Sequence, residues 1–385
     1  ANQVNQGHAI TGIKIAKDID LGNQPWTPIG YGTYFTGKID GQGYHIYNMY
    51  INKSDLTEKS NFAGFIGGTN SESCDIININ LSGKIDIPAS VAQKTQVGSF
   101  VGKANALGNM INCHSDVEIN IMGAPAYVGG VLAFMKNANI KNCSYSGNIT
   151  IATSGKVTNG IGGILGCTNS STTGIEAVIN GCYFDGSIKN NGSEIPKYVA
   201  GINSYSNLSK AAETITNNYV IGTIDCTATD QGSVYGKTNT TNFDCENNYY
   251  YADYTLTGKG GIPMKIEEFH SGEVAYLLNG DQMEFLFGQE LDSDDNMPVV
   301  YRGSNRVYKT IFMYNDNEYA VLYNNTEMKF PKNPVPDDSP TFEGWYDEKG
   351  NRYDGNSTTQ TDLTLYAKIV ATGTDNLKTK DKISI

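Results

Sequence analysis

The chain has 385 residues and carries 28 basic against 40 acidic side chains, a net charge of −12. An acidic surface repels phosphate backbones, which argues against nucleic-acid binding, and no apolar run reaches the ~18 residues of a membrane-spanning helix. Glycine (43 residues) and tyrosine (25 residues) are abundant while charged residues make up only 18%, so composition points to ordered β structure with many tight turns.

The sequence opens abruptly at Ala1 without a signal peptide, as a mature or trimmed start would, leaving any export signal or wall anchor outside it. Residues 1–12 are expected to cap a repetitive body. Ile13, Ile15, Ile19 and Leu21 then alternate with polar residues, as do Ile46 and Tyr50, which marks half-buried strands. Asp40-Gly41-Gln42-Gly43 is a turn signal between them.

Two repeated segments follow. The first runs aliphatic, Gly, small, aliphatic, aliphatic, Gly: FAGFIG from Phe62, VGSFVG from Val97, VGGVLA from Val128 and IGGILG from Ile161, with weaker copies from Val199 and Gln231. The second reads loosely Ile-x-Asn-x-x-x-x-Gly-x-Ile and starts at Ile76, Met110, Ile140, Ile179 and Ile215. Alignment puts Ile79, Cys113, Cys143, Cys182, Asn218 and Asn248 in one column, at spacings of 34, 30, 39, 36 and 30 residues. Units of this length, built of short alternating runs with Gly and Asn between them, predict a parallel, right-handed β-helix. Residues 190–198 are expected to loop out of it.

Seven cysteines is an odd number, so they cannot all pair within the chain. Adjacent rungs lie ~4.8 Å apart, but parallel in-register Cβ vectors make a poor disulfide. Cys113, Cys143 and Cys182 are therefore expected as a ladder of buried free thiols, and no His joins them to make a metal site. Cys74, Cys167, Cys226 and Cys245 fall in other columns.

The run from Trp26-Thr-Pro-Ile-Gly through Phe35-x-Gly-x-Ile-Asp-Gly-Gln-Gly-Tyr to Phe62-Ala-Gly-Phe-Ile-Gly resembles the GLUG-motif β-helices. Those occur in bacterial surface adhesins and beside the catalytic domain of immunoglobulin-A-cleaving metallopeptidases. The resemblance covers residues 13–250 and speaks to architecture, because the motif residues are structural. Ala133 and Ser204 depart from the last Gly of the motif.

The period breaks near Tyr254. A helix is predicted after Pro263, capped by Ser271, with Phe269, Val274, Leu277 and Leu278 on one face and Asn279-Gly280 as its stop. Its expected role is to cover the open end of the coil. Asp292, Asp294 and Asp295 lack the full spacing of a Ca²⁺ loop and read as a solvated turn. Beyond Val307 come alternating runs at Thr310–Tyr314, Tyr319–Tyr323 and Leu363–Lys368, with the aromatic strand Phe342-Glu-Gly-Trp-Tyr346. This segment resembles the Listeria–Bacteroides repeat (internalin-type B-repeat), a small β-grasp-like module of extracellular bacterial proteins, and Trp345 is expected to fill its core. The expected organisation is a β-helix over 1–253, a capping helix and connection over 254–306, the small module over 307–369 and a polar tail over 370–385.

His8, His45, His114 and His270 are the only histidines and none precedes Glu, so the H-E-x-x-H zinc motif is missing. No G-x-S-x-G elbow, P-loop or C-x-x-C occurs. A carbohydrate-active β-helix would need paired carboxylates. Asp86, Asp116, Asp185 and Asp225 could approach one side of the coil, with Asp116 and Asp185 placed near Asp40 of earlier rungs. The favoured reading is a secreted or surface bacterial protein, adhesin-like and not an enzyme. It would act as a monomer, with no cofactor, metal or catalytic residue, binding host extracellular protein or glycan. A polysaccharide lyase or hydrolase and a structural spacer are the alternatives.

Overall fold

The computed structural model describes residues 1–52, 61–91, 94–154, 158–253, 258–280, 286–289, 297–300, 307–324, 341–353 and 361–370. Two compact units divide the chain, Ala1–Lys265 and Ile266–Ile385. The first is a parallel β-solenoid, and the helices of the whole described chain are three short ones.

Parallel stacking turns sequence columns into continuous inner ridges. One ridge runs Ile13, Ile39, Ile76, Met110, Ile140, Ile179, Ile215 and Cys245. Another runs Ile51, Ile85, Ile119, Ile149, Ile188 and Ile224. Each buried aliphatic side chain contributes roughly 1.5–3 kcal/mol, and β-branched residues suit the pleat.

The Asn of the second repeat has a backbone task. Gln42, Asn78, Asn112, Asn142, Gly181, Asn217 and Asn247 all adopt positive φ, between 50° and 66°. Backbone bonds between rungs place them at one corner of the coil. Asn tolerates the left-handed region because its short side chain can bond locally. Here it bonds axially: Asn112 Nδ2 donates to Asn78 Oδ1 at 3.1 Å, and Asn247 Nδ2 to Asn217 Oδ1 at 2.7 Å. The glycines of the first repeat answer to packing instead. A Cβ on Gly130 or Gly163 would stand 2.3 or 2.4 Å from the ring of Tyr145 or Phe184.

The cysteine ladder is as expected. Cys113, Cys143 and Cys182 are free and fully buried, and burial pushes the thiols of Cys143 and Cys182 well up, which keeps them unreactive. The column continues in Asn218 and Asn248, whose polar atoms find partners inside the coil. Asn218 Oδ1 accepts from Cys182 N at 2.8 Å, Asn248 Oδ1 from Asn218 N at 3.0 Å, and Asn218 Nδ2 donates to Ile179 O at 3.1 Å.

The short helix Asn2–Asn5 buries Val4, while Asn5 bonds to Pro28 O and Tyr31 N, so the first residues close the lower end. The upper end differs from expectation. Pro263 is not a helix opening: Ile262–Met264 is a further strand, paired in parallel with Tyr249–Tyr251. The single predicted helix is two, Ile266–His270 and Glu273–Asn279, because Gly272 takes φ 88° between them. Both belong to the second unit. There Asn279 Nδ2 donates to Phe287 O at 2.7 Å, and Tyr276 packs on Tyr323.

The remainder of that unit is a five-stranded sheet in the order Asn317–Asn324, Tyr308–Tyr314, Leu363–Val370, Thr341–Tyr346, Arg352–Tyr353. Its central pair, Tyr308–Tyr314 with Leu363–Val370, is parallel. Trp345 is 2% exposed and packs with Phe312 and Leu365, filling this small core as expected.

Candidate functional site

The first repeat makes a hairpin-tight corner between two sheets. On one side lie Phe62–Ala63, Thr95–Gly98, Pro125–Gly129, Gly160–Gly162, Tyr198–Ala200 and Asp230–Gly232, a six-stranded parallel sheet. Strand alternation sends Ala63, Val97, Val128, Ile161 and Val199 inward. The outward column is therefore Phe62, Gln96, Tyr127, Gly160, Tyr198 and Asp230. The repeat alignment pairs Phe62 with Val97 and so turns Phe62 inward. The observed register pairs it with Gln96 and turns it out, because Ile66 nevertheless meets Val101, leaving one residue absorbed at the corner.

Across the corner a second outward column runs Gly68, Lys103, Phe134, Cys167, Tyr205 and Lys237. The two columns meet ring to ring. Tyr198 stacks on Tyr205 at 4.5 Å between centroids, and Tyr127 lies 6.1 Å from Phe134. Lys103 Nζ sits 4.9 Å from the Phe62 ring and 5.7 Å from the Phe134 ring. Burial, then the neighbouring Lys136, lower the Lys103 pKa. Burial raises the Tyr127 and Tyr205 phenols. Beside the aromatics runs a third column, Asn105, Lys136, Asn169, Asn207 and Asn239. In it Asn239 Nδ2 donates to Tyr205 Oη at 3.1 Å. Asp230 is the one acid in the three columns, and it is paired with Lys259 at 3.2 Å and Lys237 at 3.9 Å. Five steps of ~4.8 Å make the strip about 24 Å long.

A polar ladder occupies another face: Lys38 Nζ bonds Asp75 Oδ2 at 2.6 Å, Asn109 Nδ2 bonds Asp75 Oδ1 at 2.9 Å, and Asn139 Nδ2 bonds Asn109 Oδ1 at 3.1 Å. Burial works against ionised Asp75, yet its Lys38 and Asn109 bonds hold the carboxyl below its usual range. Nearby is an open groove of ≈ 420 Å³ lined by Glu72, Leu107, Asn137, Ile175 and Glu176.

The carboxylates weighed for catalysis do not converge. Asp86 and Asp225 share one column but stand four rungs apart, about 19 Å. Asp116 and Asp185 share another, two rungs apart across Ser146, and both are exposed. Asp40 stands in neither: it registers with Ile77. His114 Nδ1 lies 2.8 Å from Ser144 Oγ, but Ser144 is only 2% exposed, which closes that hydroxyl to a polypeptide. Among the described residues no group of three or more His, Cys, Asp and Glu could hold a metal ion. Asp292, Asp294 and Asp295 lie outside them. No described helix is long and apolar enough to cross a membrane.

No family model matches the chain. A search of curated proteins finds an immunoglobulin A1 protease of Streptococcus sanguinis, 25% identical over 232 residues, which covers 58% of this chain and 11% of that protein. The chain thus spans about a tenth of its curated relative. Among solved structures, the crystal structure of a Bacteroides ovatus protein provisionally named an immunoglobulin A1 protease matches with a TM-score of 0.50 at 17% identity, covering 75% of this chain and 85% of that one. The second likeness shows the fold, a β-solenoid. The first agrees with a secreted or surface-exposed bacterial protein. The two likenesses also overturn one expectation, that the chain is not an enzyme, since both proteins it resembles are named as proteases. That expectation rested on missing short motifs, and catalytic groups are recognised by their geometry and roles rather than by sequence position.

Proposed function

We propose that this chain is a solenoid segment of an extracellular, immunoglobulin A1 protease-like protein, and that it serves proteolysis by holding the immunoglobulin on the aromatic strip. The observation that carries this is the likeness to the Streptococcus sanguinis protease over 232 residues. The strip supplies the means, since half-buried tyrosines and phenylalanines backed by a rigid sheet favour recognition at low entropic cost. The GLUG-type reading of the repeats and the internalin-type reading of the second unit fit the same picture. In it, an adhesin-like monomeric arm displays a binding surface at the cell surface or in secreted form.

Immobilised immunoglobulin A1 is the test. Saturable binding of the chain, weakened by joint Tyr198→Ala and Tyr205→Ala substitution, is the expected result. Gel analysis of the same mixture reports cleavage, and cleavage would place proteolysis itself on this chain. Absence of both binding and cleavage overturns the proposal.

A further inference from the structure

The strip has a spacing that narrows its ligand. In the first outward column aromatic residues occupy every second rung, Phe62, Tyr127 and Tyr198, with Gln96 and Gly160 between them. Two rungs measure about 9.6 Å, close to the advance of two hexose residues in an extended oligosaccharide. In the second column Phe134 and Tyr205 fall on the same rungs as Tyr127 and Tyr198, so each of these platforms is a pair of rings and the two-rung period is unchanged. The third column sets amide groups alongside, Asn169, Asn207 and Asn239 on consecutive rungs. An amide both donates and accepts, which suits the paired hydroxyls of a sugar. No unpaired carboxylate interrupts the strip, although the chain carries a charge of −12.

We infer that the aromatic strip binds an extended oligosaccharide, one aromatic platform to every second sugar, with the asparagine column reading its hydroxyls. This rests on the proposed placement of the immunoglobulin on the same face, and makes carbohydrate the part recognised. An extended peptide competes for the role. Its residues advance by about 3.3 Å, so a two-rung period would match every third residue. However, such a peptide laid on a surface seeks unpaired strand edges for its backbone. The strip offers side chains only.

Isothermal titration with β-linked gluco- and chito-oligosaccharides from two to eight sugars tests the inference, alongside native and enzymatically deglycosylated immunoglobulin A1. Affinity is expected to rise with chain length in steps of two sugars. It should fall at least tenfold in the Tyr127→Ala, Tyr198→Ala double variant, with the β-type circular dichroism spectrum retained. Tyr198→Phe, which keeps the ring, should bind within threefold of the parent. Loss of immunoglobulin binding on deglycosylation would support the inference even if these oligosaccharides do not bind. If the oligosaccharides fail and deglycosylated immunoglobulin binds as before, the carbohydrate assignment falls while the immunoglobulin reading stands. If oligosaccharides bind and immunoglobulin does not, the reverse holds.

Discussion

The lower and upper rungs of the solenoid solve the same packing problem with different chemistry. Ile66, Val101, Leu132 and Leu165 form one inward column, and Asn203 continues it one rung higher. Ala138 and Ala177 lead a second column, and Glu213 continues that one, fully buried. The two exceptions meet. Asn203 Nδ2 donates to Glu213 Oε1 at 2.9 Å and to Thr168 Oγ1 at 3.1 Å, and Thr168 Oγ1 donates to the same carboxyl oxygen at 2.6 Å. A single polar residue in an apolar ridge would leave an unmet bond at a cost of ~1–3 kcal/mol. Paired on facing columns, the two form a local network, so the stacked column is tolerant only of changes made jointly.

The largest test of this comparison truncates the lower ridge. Ile140→Ala should lower stability by about 2–5 kcal/mol in urea unfolding, since Ile140 is fully buried between Met110 and Ile179. A loss under about 1 kcal/mol would mean the ridge is not close-packed.

Glu213 sharpens the upper half. Burial raises its carboxyl to about 7, against the bonds of Ser206, Thr168 and Asn203, which lower it. With the folded value above the unfolded one, the folded state holds the proton longer. No penalty exists below pH ~4.5, stability falls as pH climbs toward ~7, and the loss levels off above that at roughly 3 kcal/mol. Unfolding measured from pH 4 to pH 8 should show this slope in the parent and a flatter profile in Glu213→Gln, with the variant the more stable at pH 8. Equal slopes would remove Glu213 as their source.

A smaller effect is expected at the asparagine corner. Asn142→Ala should cost about 1 kcal/mol, because Ala keeps the Cβ but lacks the short polar side chain that lets Asn tolerate the left-handed region, whereas Asn142→Gly should be close to neutral because Gly181 already occupies that corner. Equal melting temperatures for the Ala and Gly variants would contradict the backbone explanation. Least disturbing of all is alkylation: iodoacetamide should leave Cys113, Cys143 and Cys182 unlabelled in the native chain and label all three in denaturant, read by mass spectrometry.

Much of this was legible in the sequence. The repeat alignment located the cysteine ladder and its continuation in Asn218 and Asn248, since identical environments recur at identical positions. Trp345 was readable as core from its aromatic neighbours. Glu213 left a signal that the alignment passed over: a charge standing where other repeats carry Ala138 and Ala177. The strip left less. Its columns straddle a corner, and the one-residue slip at Phe62 hides half of the pattern from any ungapped comparison. The break in the helix is hidden because Phe269, Val274, Leu277 and Leu278 read as one apolar face across Gly272, whose φ of 88° only the fold reveals.

The sequence by itself determined the solenoid and its inner columns, because parallel stacking makes every rung repeat the burial of the one below. Only the tertiary structure decided which aromatic residues share an outer face, and that Asn203 and Glu213 are partners. Corner geometry and rung register, not spacing along the chain, bring those residues together.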